Sequence, residues 1–431
     1  MKKWMIRSVC LIDPSVGKHE VTDIMFDEQS GKITAIGRDL KADDDTQVIR
    51  GGRYKAIPGL VDLHVHLRDP GQTHKEDVFT GCQAAAAGGV TSVFAMPNTA
   101  PALDSPEVLR ALLDKARDAA VKVYPVAAVT KGLKGEELTD FEALKAAGAA
   151  AFSDDGRPVL TADLTEKALK AAKAVGRPFM AHCEELTLVR GGLMNEGEIS
   201  YRHGIPGVTR AAEEVGTARE IALAAATGCP VHICHVSTRG SVEMIRAAQK
   251  NGIRVTGETA PHYIALTDEC LAAKDADYRM SPPLRTEDDR LALIEGLRDG
   301  TLTAIATDHA PHTAEEKADF AKAPNGSIGM ETSFAACLTY LVKTGKLPLE
   351  KLIWLMSTSP AKIAGIPAGT LQVGAAADLV LVDTDAEWTV DVKKLHGKSA
   401  NCPFKGLTLK GRVMKTFCDG RLVYDADAAE I

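Results

Sequence analysis

The sequence predicts an α/β protein, a (β/α)8 barrel of the TIM type with a small β-sandwich built from both termini. Three observations lead to this prediction. The middle of the chain repeats one pattern, which is an amphipathic helix, a glycine and then a strand rich in β-branched residues. The pattern supplies eight strands over roughly 300 residues, as such a barrel requires. The two ends of the chain consist instead of short alternating segments separated by turn signals.

The terminal segments, residues 1–55 and 366–431, are predicted to combine into one β domain. Residues 27–32 are rich in turn-forming residues and separate two alternating segments. Near the other end, Asp419-Gly420 has the composition of a hairpin turn between two strands. We expect these segments to build the sandwich and residues 56–365 to build the barrel.

The barrel strands follow one another through the middle of the chain, and the first two cover residues 57–66 and 90–96. Most later strands follow a helix that ends near a glycine, because glycine accepts the left-handed conformation found at helix ends. Ser105-Pro106 is typical of a helix start. The predicted helix and strand pairs are 106–119 with 121–126, 141–147 with 149–153, 164–175 with 178–182, 210–227 with 231–235, 242–251 with 253–256, and 287–299 with 303–307.

A doubly wound open sheet is the alternative arrangement for alternating helices and strands. It would require a glycine-rich phosphate loop after an early strand. The sequence contains no such loop, so the barrel is preferred.

Composition restricts the partners and the location of the protein. The net charge of −7, without a cluster of Lys and Arg, argues against nucleic-acid binding. No apolar run approaches the roughly 20 residues that cross a bilayer, and the N-terminal residues lack the apolar region of a signal peptide. The nine cysteines include no CxxC pair, which fits reduced thiols. We expect a cytoplasmic protein that acts on a small molecule and has no nucleic-acid or membrane partner.

The sequence His64-Val65-His66-Leu67-Arg68 stands at the end of the first predicted strand. Side chains alternate along a strand, so His64 and His66 share a face, and Arg68 joins them if the strand continues. Two adjacent imidazoles can hold a divalent metal, and a guanidinium can bind a carboxylate. Taken alone, the pair is equally consistent with two histidines hydrogen-bonded in a turn.

Further polar residues follow the other predicted strands, at the end of a barrel that carries its chemistry. Their imidazoles and carboxylates suit Zn²⁺ and are compatible with Mn²⁺, Co²⁺ or Fe²⁺. They outnumber the ligands of one tetrahedral zinc, which predicts two metals that share a bridging ligand. The residues are Asn98, Asp154, Asp155, His182, His235, His262, Asp308, His309 and His312.

Eight segments together resemble the class I dihydroorotases of the amidohydrolase superfamily. The HxH pair with a later aspartate is common to the superfamily. Phe152-Ser153-Asp154-Asp155-Gly156 and Asp308-His309-Ala310-Pro311-His312 are more specific. In chain order, the segments are 64–68, 96–99, 152–156, 181–184, 235–238, 258–262, 282–285 and 307–312.

The resemblance implies a metal site that holds one or two Zn²⁺ ions per subunit. Asp155 is preferred to Asp154 because its separation from His182 matches the spacing in the family. Related cyclic-amide hydrolases have a carboxylated lysine at this strand end, where this chain has an aspartate. The implied ligands are His64, His66, Asp155, His182, His235 and Asp308.

The resemblance also implies a substrate site. Arg68, Asn98 and His312 would donate hydrogen bonds to the substrate carboxylate. Ser281 stands where family members often have asparagine, and it can still donate one hydrogen bond. The charged segment from 313 to 329 is either a lid over this site or a surface loop.

The activity implied is the reversible cyclisation of N-carbamoyl-L-aspartate to L-dihydroorotate and water, a step of pyrimidine biosynthesis. A metal would activate the water, and Asp308 would act as general acid and base. A homodimer is expected. The alternatives are a hydantoinase, dihydropyrimidinase or allantoinase, or an assembly subunit for aspartate carbamoyltransferase. Asp155 and the predicted carboxylate clamp argue against the first group, and the six intact ligands argue against an inactive subunit.

Overall fold

The structure is a computed structural model, and it describes residues 2–428 of the chain. The strands, in chain order, are β1 (Lys3–Asp13), β2 (Lys18–Asp27), β3 (Lys32–Gly37), β4 (Thr46–Arg50), β5 (Lys55–Pro58), β6 (Leu60–Val65), β7 (Val90–Ala95), β8 (Lys122–Ala127), β9 (Ala151–Phe152), β10 (Met180–Ala181), β11 (Met194–Asn195), β12 (Gly207–Val208), β13 (Val231–Ile233), β14 (Val255–Thr259), β15 (Ala304–Ile305), β16 (Leu379–Thr389), β17 (Thr408–Cys418) and β18 (Arg421–Asp425).

The helices surround the central strands and occupy much of the chain between them. Within residues 2–428, none of them combines the length and the hydropathy that a bilayer crossing requires. In chain order, they are α1 (Val78–Ala87), α2 (Pro106–Ala116), α3 (Phe141–Ala146), α4 (Ala162–Val175), α5 (Leu186–Val189), α6 (Glu198–His203), α7 (Ala211–Thr227), α8 (Arg239–Lys250), α9 (Pro261–Ala265), α10 (Glu287–Asp299), α11 (Ala314–Lys317), α12 (Met330–Cys337), α13 (Leu349–Ile353) and α14 (Ser359–Ala364).

Both ends of the chain contribute to one eight-stranded sheet. Its order is β18-β17-β16-β5-β1-β2-β3, and β4 pairs with β1. Trp4, Phe26 and Phe417 pack together in its core, with ring centroids 4.9–6.5 Å apart. The two halves of the predicted sandwich are therefore parts of a single hydrogen-bonded sheet.

The central strands are parallel and form two four-stranded sheets, β6-β7-β8-β9 and β10-β13-β14-β15. Single parallel bridges, Phe152 to Phe179 and Val65 to His309, join the two sheets at both edges. Apolar side chains such as Leu63, Phe94 and Met180 fill the interior. The prediction of an α/β protein with parallel strands between helices is confirmed.

The glycine positions identified in the sequence end several helices as expected. Gly176, Gly228 and Gly300 adopt left-handed φ values of 67°, 61° and 86° after α4, α7 and α10. At the start of α2, the Ser105 side chain accepts a hydrogen bond from the backbone of Val108. Helix α1 was not predicted.

The predicted first strand, residues 57–66, is divided at Gly59. Residues up to Pro58 belong to β5 and pair with the terminal sheet, whereas β6 begins the parallel strands. A Cβ atom on Gly59 would lie 2.1 Å from the Thr91 hydroxyl oxygen, so only glycine fits this junction. The Gly59 amide also donates to the Asp378 carbonyl, 2.9 Å away, which links the two parts of the fold.

Candidate metal centre and active site

A cavity of about 330 Å³ opens where the parallel strands end. Side chains that follow β6, β7, β9, β10, β13 and β15 converge on it. His64 lies directly beneath, with only 1% of its surface exposed. Apart from His64, the residues that the resemblance implied as metal ligands or substrate contacts all line the cavity, whereas Asp154, His262 and His309 are not part of its lining. Those that line it are His66, Arg68, Asn98, Asp155, His182, His235, Ser281, Asp308 and His312.

Asp155 lies at the centre of the histidines. Its Oδ1 atom is 3.2 Å from His64 Nε2, 3.3 Å from His182 Nδ1 and 3.6 Å from His235 Nε2. Its Oδ2 atom is 3.5 Å from His66 Nε2. One carboxylate therefore faces four imidazoles, as a bridging ligand would.

Asp154 has a different position from its neighbour. Its carboxylate accepts hydrogen bonds from the backbone amides of Val129 and Thr130, at 2.7 and 3.0 Å, and from the Thr130 hydroxyl. It thus holds the loop that follows β8. Asp155, which the family spacing favoured, is the residue that faces the histidines.

Asp308 completes the donor set from the end of β15. Its Oδ1 atom lies 3.1 Å from His66 Nε2 and 3.6 Å from His64 Nε2. Burial alone would raise the pKa of Asp308, but the charge of His64 and the hydrogen bond to His66 hold it well below its usual range. The side chain is therefore an ionised carboxylate at neutral pH.

These donors fit a divalent metal. His64, His66 and Asp308 place ligand atoms within 4.8 Å of one another, and so do His64, Asp155 and His235. His64 Nε2 and Asp155 Oδ1 are buried and have no hydrogen-bond partner in the structure. Such atoms are costly to bury unless another group satisfies them, and imidazole with carboxylate is a donor set that zinc accepts.

The charges at the centre also favour a cation. Burial opposes a charge on His182, yet the neighbouring Asp155 and Glu184 carboxylates raise its pKa to about 10. Burial likewise opposes a charge on His64, and the Asp155 and Asp308 carboxylates raise its pKa well above the usual value. In the absence of a metal, protons therefore take the place that a divalent cation would fill.

Arg68 and His312 form a polar pair on one wall of the cavity. Arg68 Nη2 is 3.2 Å from His312 Nε2, and Arg68 Nε donates to the Pro311 carbonyl, 3.2 Å away. Burial lowers the pKa of Arg68 to about 10, so it stays charged at neutral pH. Burial and the neighbouring charges of Arg68 and Lys75 lower the pKa of His312 to about 3, so it is neutral.

Asn98 lines the same cavity, but its amide already has partners. Its Oδ1 atom is 2.8 Å from His66 Nδ1, and its Nδ2 atom donates to Asp155, 3.4 Å away. With a metal at the centre in place of the proton shared with Asp308, His66 would donate through Nδ1 to Asn98 and direct its Nε2 lone pair to the metal. Asn98 therefore orients a donor, a role that the sequence prediction did not include.

Glu184 is a site residue of the segment 181–184 to which the sequence prediction gave no role. It lies 3.3 Å from His182 Nε2 and accepts a hydrogen bond from Ser281, 3.1 Å away. Ser281 thus lines the cavity while it is joined to a histidine through Glu184. In the sequence, the position of Glu184 two residues after the predicted ligand His182 could have indicated this role.

Two other buried carboxylates below the cavity were also missed. Asp62 accepts from the backbone amides of His64 and Thr307, at 3.2 and 3.0 Å, and so fixes the ends of β6 and β15 together. Glu258 Oε1 lies 3.4 Å from His64 Nδ1. Asp62 contacts His64 and Thr307, and Glu258 contacts His64. These contacts depend on strand register, which the sequence does not reveal.

The segment 313–329 forms part of the cavity wall. Lys317 is buried there, and its Nζ atom donates to the backbone carbonyls of Pro324 and Gly326, at 2.9 and 2.8 Å. Asn401 also donates to the Gly326 carbonyl, 3.0 Å away. These bonds fix the segment over the site.

The backbone is strained at three residues of the site. Arg68, His235 and Asp308 have φ values of 57°, 37° and 49°, in a region that residues other than glycine seldom adopt. Strand alternation therefore ends before these residues and does not govern their side chains. Strain of this kind is typical of functional sites.

Parallel strands whose ends present buried histidines and aspartates around a cavity define the metal-dependent amidohydrolase class. Comparison with known families agrees with this. A sequence model described as Amidohydrolase family matches residues 293–424, and one described as Dihydro-orotase-like matches residues 54–241. The chain is 46% identical over 424 residues to a dihydroorotase of Geobacter sp. (strain M21), covering 98% of this chain and 99% of the relative. A dihydroorotase of Acetivibrio thermocellus is 45% identical, over 97% of this chain and 98% of the relative. The chain belongs to the dihydroorotase family.

Solved structures similar to this one include proteins named hydantoinase and dihydropyrimidinase. An L-hydantoinase (dihydropyrimidinase) from Arthrobacter aurescens has a TM-score of 0.89 at 26% identity, over 99% of this chain and 96% of its own. A dihydropyrimidinase from Brevibacillus agri has a TM-score of 0.85 at 28% identity, over 98% and 95%. The fold is therefore shared across this group.

Proposed function

We propose that the protein catalyses the reversible cyclisation of N-carbamoyl-L-aspartate to L-dihydroorotate and water, in pyrimidine biosynthesis. The observation that carries this proposal is the position of Arg68, charged and buried, on the wall of a cavity whose floor is the cluster of metal donors. Both the substrate and the product have a carboxylate, which a guanidinium binds with a fixed fork of donors. Full-length relatives named dihydroorotase support the same activity.

We further propose that the eight parallel strands close into a (β/α)8 barrel, residues 56–365, with the terminal segments forming the separate β domain. The single bridges at both edges of the two parallel sheets support closure. The boundary at residue 56 is approximate, since β5 pairs with the terminal sheet.

The proposed cofactor is Zn²⁺, with one or two ions per subunit. His64, His66, Asp155, His182, His235 and Asp308 would hold it, and Asp155 would be the shared ligand. When bound, the metal supplies an acidified water and polarises the amide carbonyl. The donor types support zinc but are also compatible with other divalent metals.

The protein's own residues would contribute the following steps. Arg68 and His312 bind the carboxylate, with Asn98 and Ser281 as further predicted contacts, and so orient the ring. In the hydrolytic direction, Asp308 accepts a proton from the attacking water and gives it to the departing amide nitrogen. The low pKa of Asp308 keeps it in the basic form needed for the first transfer. In cyclisation the same transfers run in reverse.

One experiment tests this activity directly. Metal content of the purified protein is measured together with cyclisation of N-carbamoyl-L-aspartate and hydrolysis of dihydroorotate, hydantoin and dihydrouracil. We expect the purified protein to contain metal. We expect it to turn over N-carbamoyl-L-aspartate and dihydroorotate far faster than hydantoin and dihydrouracil. Preference for hydantoin or dihydrouracil would favour the functions named for the solved structures, and metal-free, inactive protein would favour an assembly subunit.

Other parts of the proposal concern partners and location. A homodimer, association with aspartate carbamoyltransferase and a cytoplasmic location stay predictions. The free thiols of all nine cysteines are consistent with a reducing compartment.

A further inference from the structure

A chain of buried polar side chains lies beneath the metal donors, among the apolar residues of the interior. Glu258 Oε1 is 3.4 Å from His64 Nδ1, and Glu258 Oε2 is 3.1 Å from His232 Nε2. His232 Nδ1 is in turn 2.8 Å from the Thr256 hydroxyl. Glu258 and His232 are 1% and 2% exposed, so solvent does not satisfy these groups.

The register of two neighbouring strands builds this chain. His232 of β13 lies opposite Thr256 of β14. Glu258 comes two residues after Thr256, so alternation gives it the same face. Glu258 is 1% exposed, and the Cys234 thiol lies within 4.8 Å of its carboxylate. A carboxylate in such surroundings is costly unless it is paired, which points to a specific task.

The hydrogen-bond chemistry gives the chain a direction. An ionised carboxylate can only accept, so each imidazole must turn an N–H toward Glu258. His232 then accepts from the Thr256 hydroxyl through Nδ1. His64 Nδ1 and Glu258 Oε1 face each other at 3.4 Å, and neither atom has another hydrogen-bond partner. A proton held on Nδ1 by this contact would leave Nε2, which faces Asp155 and Asp308 at 3.2 and 3.6 Å, to bind a metal.

We propose that Glu258, supported by His232 and Thr256, is a positioning residue that holds His64 in the tautomer and ring orientation required to bind metal. The inference rests on the proposed metal site at His64. Carboxylates that accept from the second nitrogen of a metal-binding histidine strengthen binding in many metal sites. Glu258 touches neither the substrate nor the reacting atoms in this scheme.

The test compares metal binding by the wild type and by Glu258→Gln. The two imidazoles face different oxygens of Glu258, and the amide replaces one of these oxygens with an NH2 donor, so one imidazole loses its acceptor. We expect Zn²⁺ affinity, measured by competition with a chromophoric chelator, to fall about 10- to 100-fold. The visible absorption of the Co²⁺-loaded protein should change as well, since His64 would no longer be fixed. Equal Zn²⁺ affinity and an unchanged Co²⁺ spectrum would overturn the inference.

Glu220→Gln is the matched control, because it makes the same change at a buried carboxylate of α7 that pairs with Arg219. It should bind metal like the wild type. Thr256→Val removes only the far end of the chain and should weaken metal binding about fivefold. This variant decides the question if Glu258→Gln does not fold, as judged by circular dichroism. Absence of metal binding in the wild type would instead refute the proposed function, and this inference with it.

Discussion

Asp308 combines two tasks at a single residue. It is close enough to His66 and His64 to share a metal with them, and it faces the cavity where the amide nitrogen would leave. Its left-handed backbone, with a φ of 49°, directs the side chain in a way that a continued strand would not. Metal binding and proton transfer are therefore separable only by a change that keeps the size of the side chain.

Asp308→Asn makes such a change. We expect kcat to fall about 10²- to 10⁴-fold, because the amide cannot accept the proton. Binding of dihydroorotate, measured by calorimetry on metal-loaded protein, should persist, since Arg68 and His312 are unchanged. Turnover close to that of the wild type would remove Asp308 from the proposed role.

Arg68 gives a second prediction at the residue scale. Arg68→Gln should raise KM for N-carbamoyl-L-aspartate roughly 10- to 100-fold, because a charge-assisted hydrogen bond to the carboxylate is lost. Arg68→Lys keeps the charge but loses the fixed pair of guanidinium donors, so its KM should lie between those of the wild type and Arg68→Gln. Metal content should be the same in all three proteins. An unchanged KM in Arg68→Gln would mean that the carboxylate binds elsewhere.

At the scale of elements, the segment 313–329 is a loop that forms part of the cavity wall. Lys317 holds it through three backbone carbonyls, those of Arg279, Pro324 and Gly326. The three hydrogen bonds of the buried Lys317 ammonium group hold this segment in place. The loop therefore acts as a fixed wall in this structure, with Asn325 and Gly326 at the cavity.

Lys317→Met should loosen this wall. Three hydrogen bonds of Lys317 are lost, at a cost of about 1–3 kcal/mol, although the Gly326 carbonyl keeps the Asn401 donor. The segment should become more sensitive to limited proteolysis while KM rises. Lys322→Met is the control, because Lys322 lies in the same segment with 86% of its side chain exposed. If both variants resist proteolysis equally, Lys317 does not hold the loop.

Much of the element order follows from local sequence. Helix ends at glycine, as at Gly176 and Gly300, require only a left-handed residue, which a reader of the sequence can see. The division at Gly59 could not be predicted, because it depends on Thr91 and Asp378, which are distant in sequence. The site shows the same contrast. Spacing was enough to propose the strand-end donors, whereas the supporting residue Glu258 requires the register of β13 and β14.

For the molecule as a whole, metal binding and folding should be coupled. A metal that binds only the native state stabilises it, by about 2.7 kcal/mol at 100 times the dissociation constant. The sign of the pH dependence follows from His182, whose pKa is raised from 6.5 to about 10 in the metal-free site. Its proton stabilises the metal-free fold fully below pH 6.5, and this contribution disappears as the pH rises toward 10.

The metal must displace that proton, so its apparent affinity should increase over the same range. We therefore expect the difference in Tm between zinc-loaded and chelator-treated protein to widen from pH 6.5 to pH 9. Differential scanning calorimetry in matched buffers measures it. If the difference in Tm stays constant or narrows as the pH rises, the metal does not displace a proton from His182.

The pairing of β5 with β16 also has a consequence for biosynthesis on the ribosome. Pro58 lies opposite Leu379, so β5 cannot pair with β16 until more than three quarters of the chain has been made. Until then, the N-terminal strands form an incomplete sheet with an open, apolar edge, which is a hazard for aggregation. We expect the nascent chain to depend on holding factors during this interval, and the terminal sheet to be the last part to assemble.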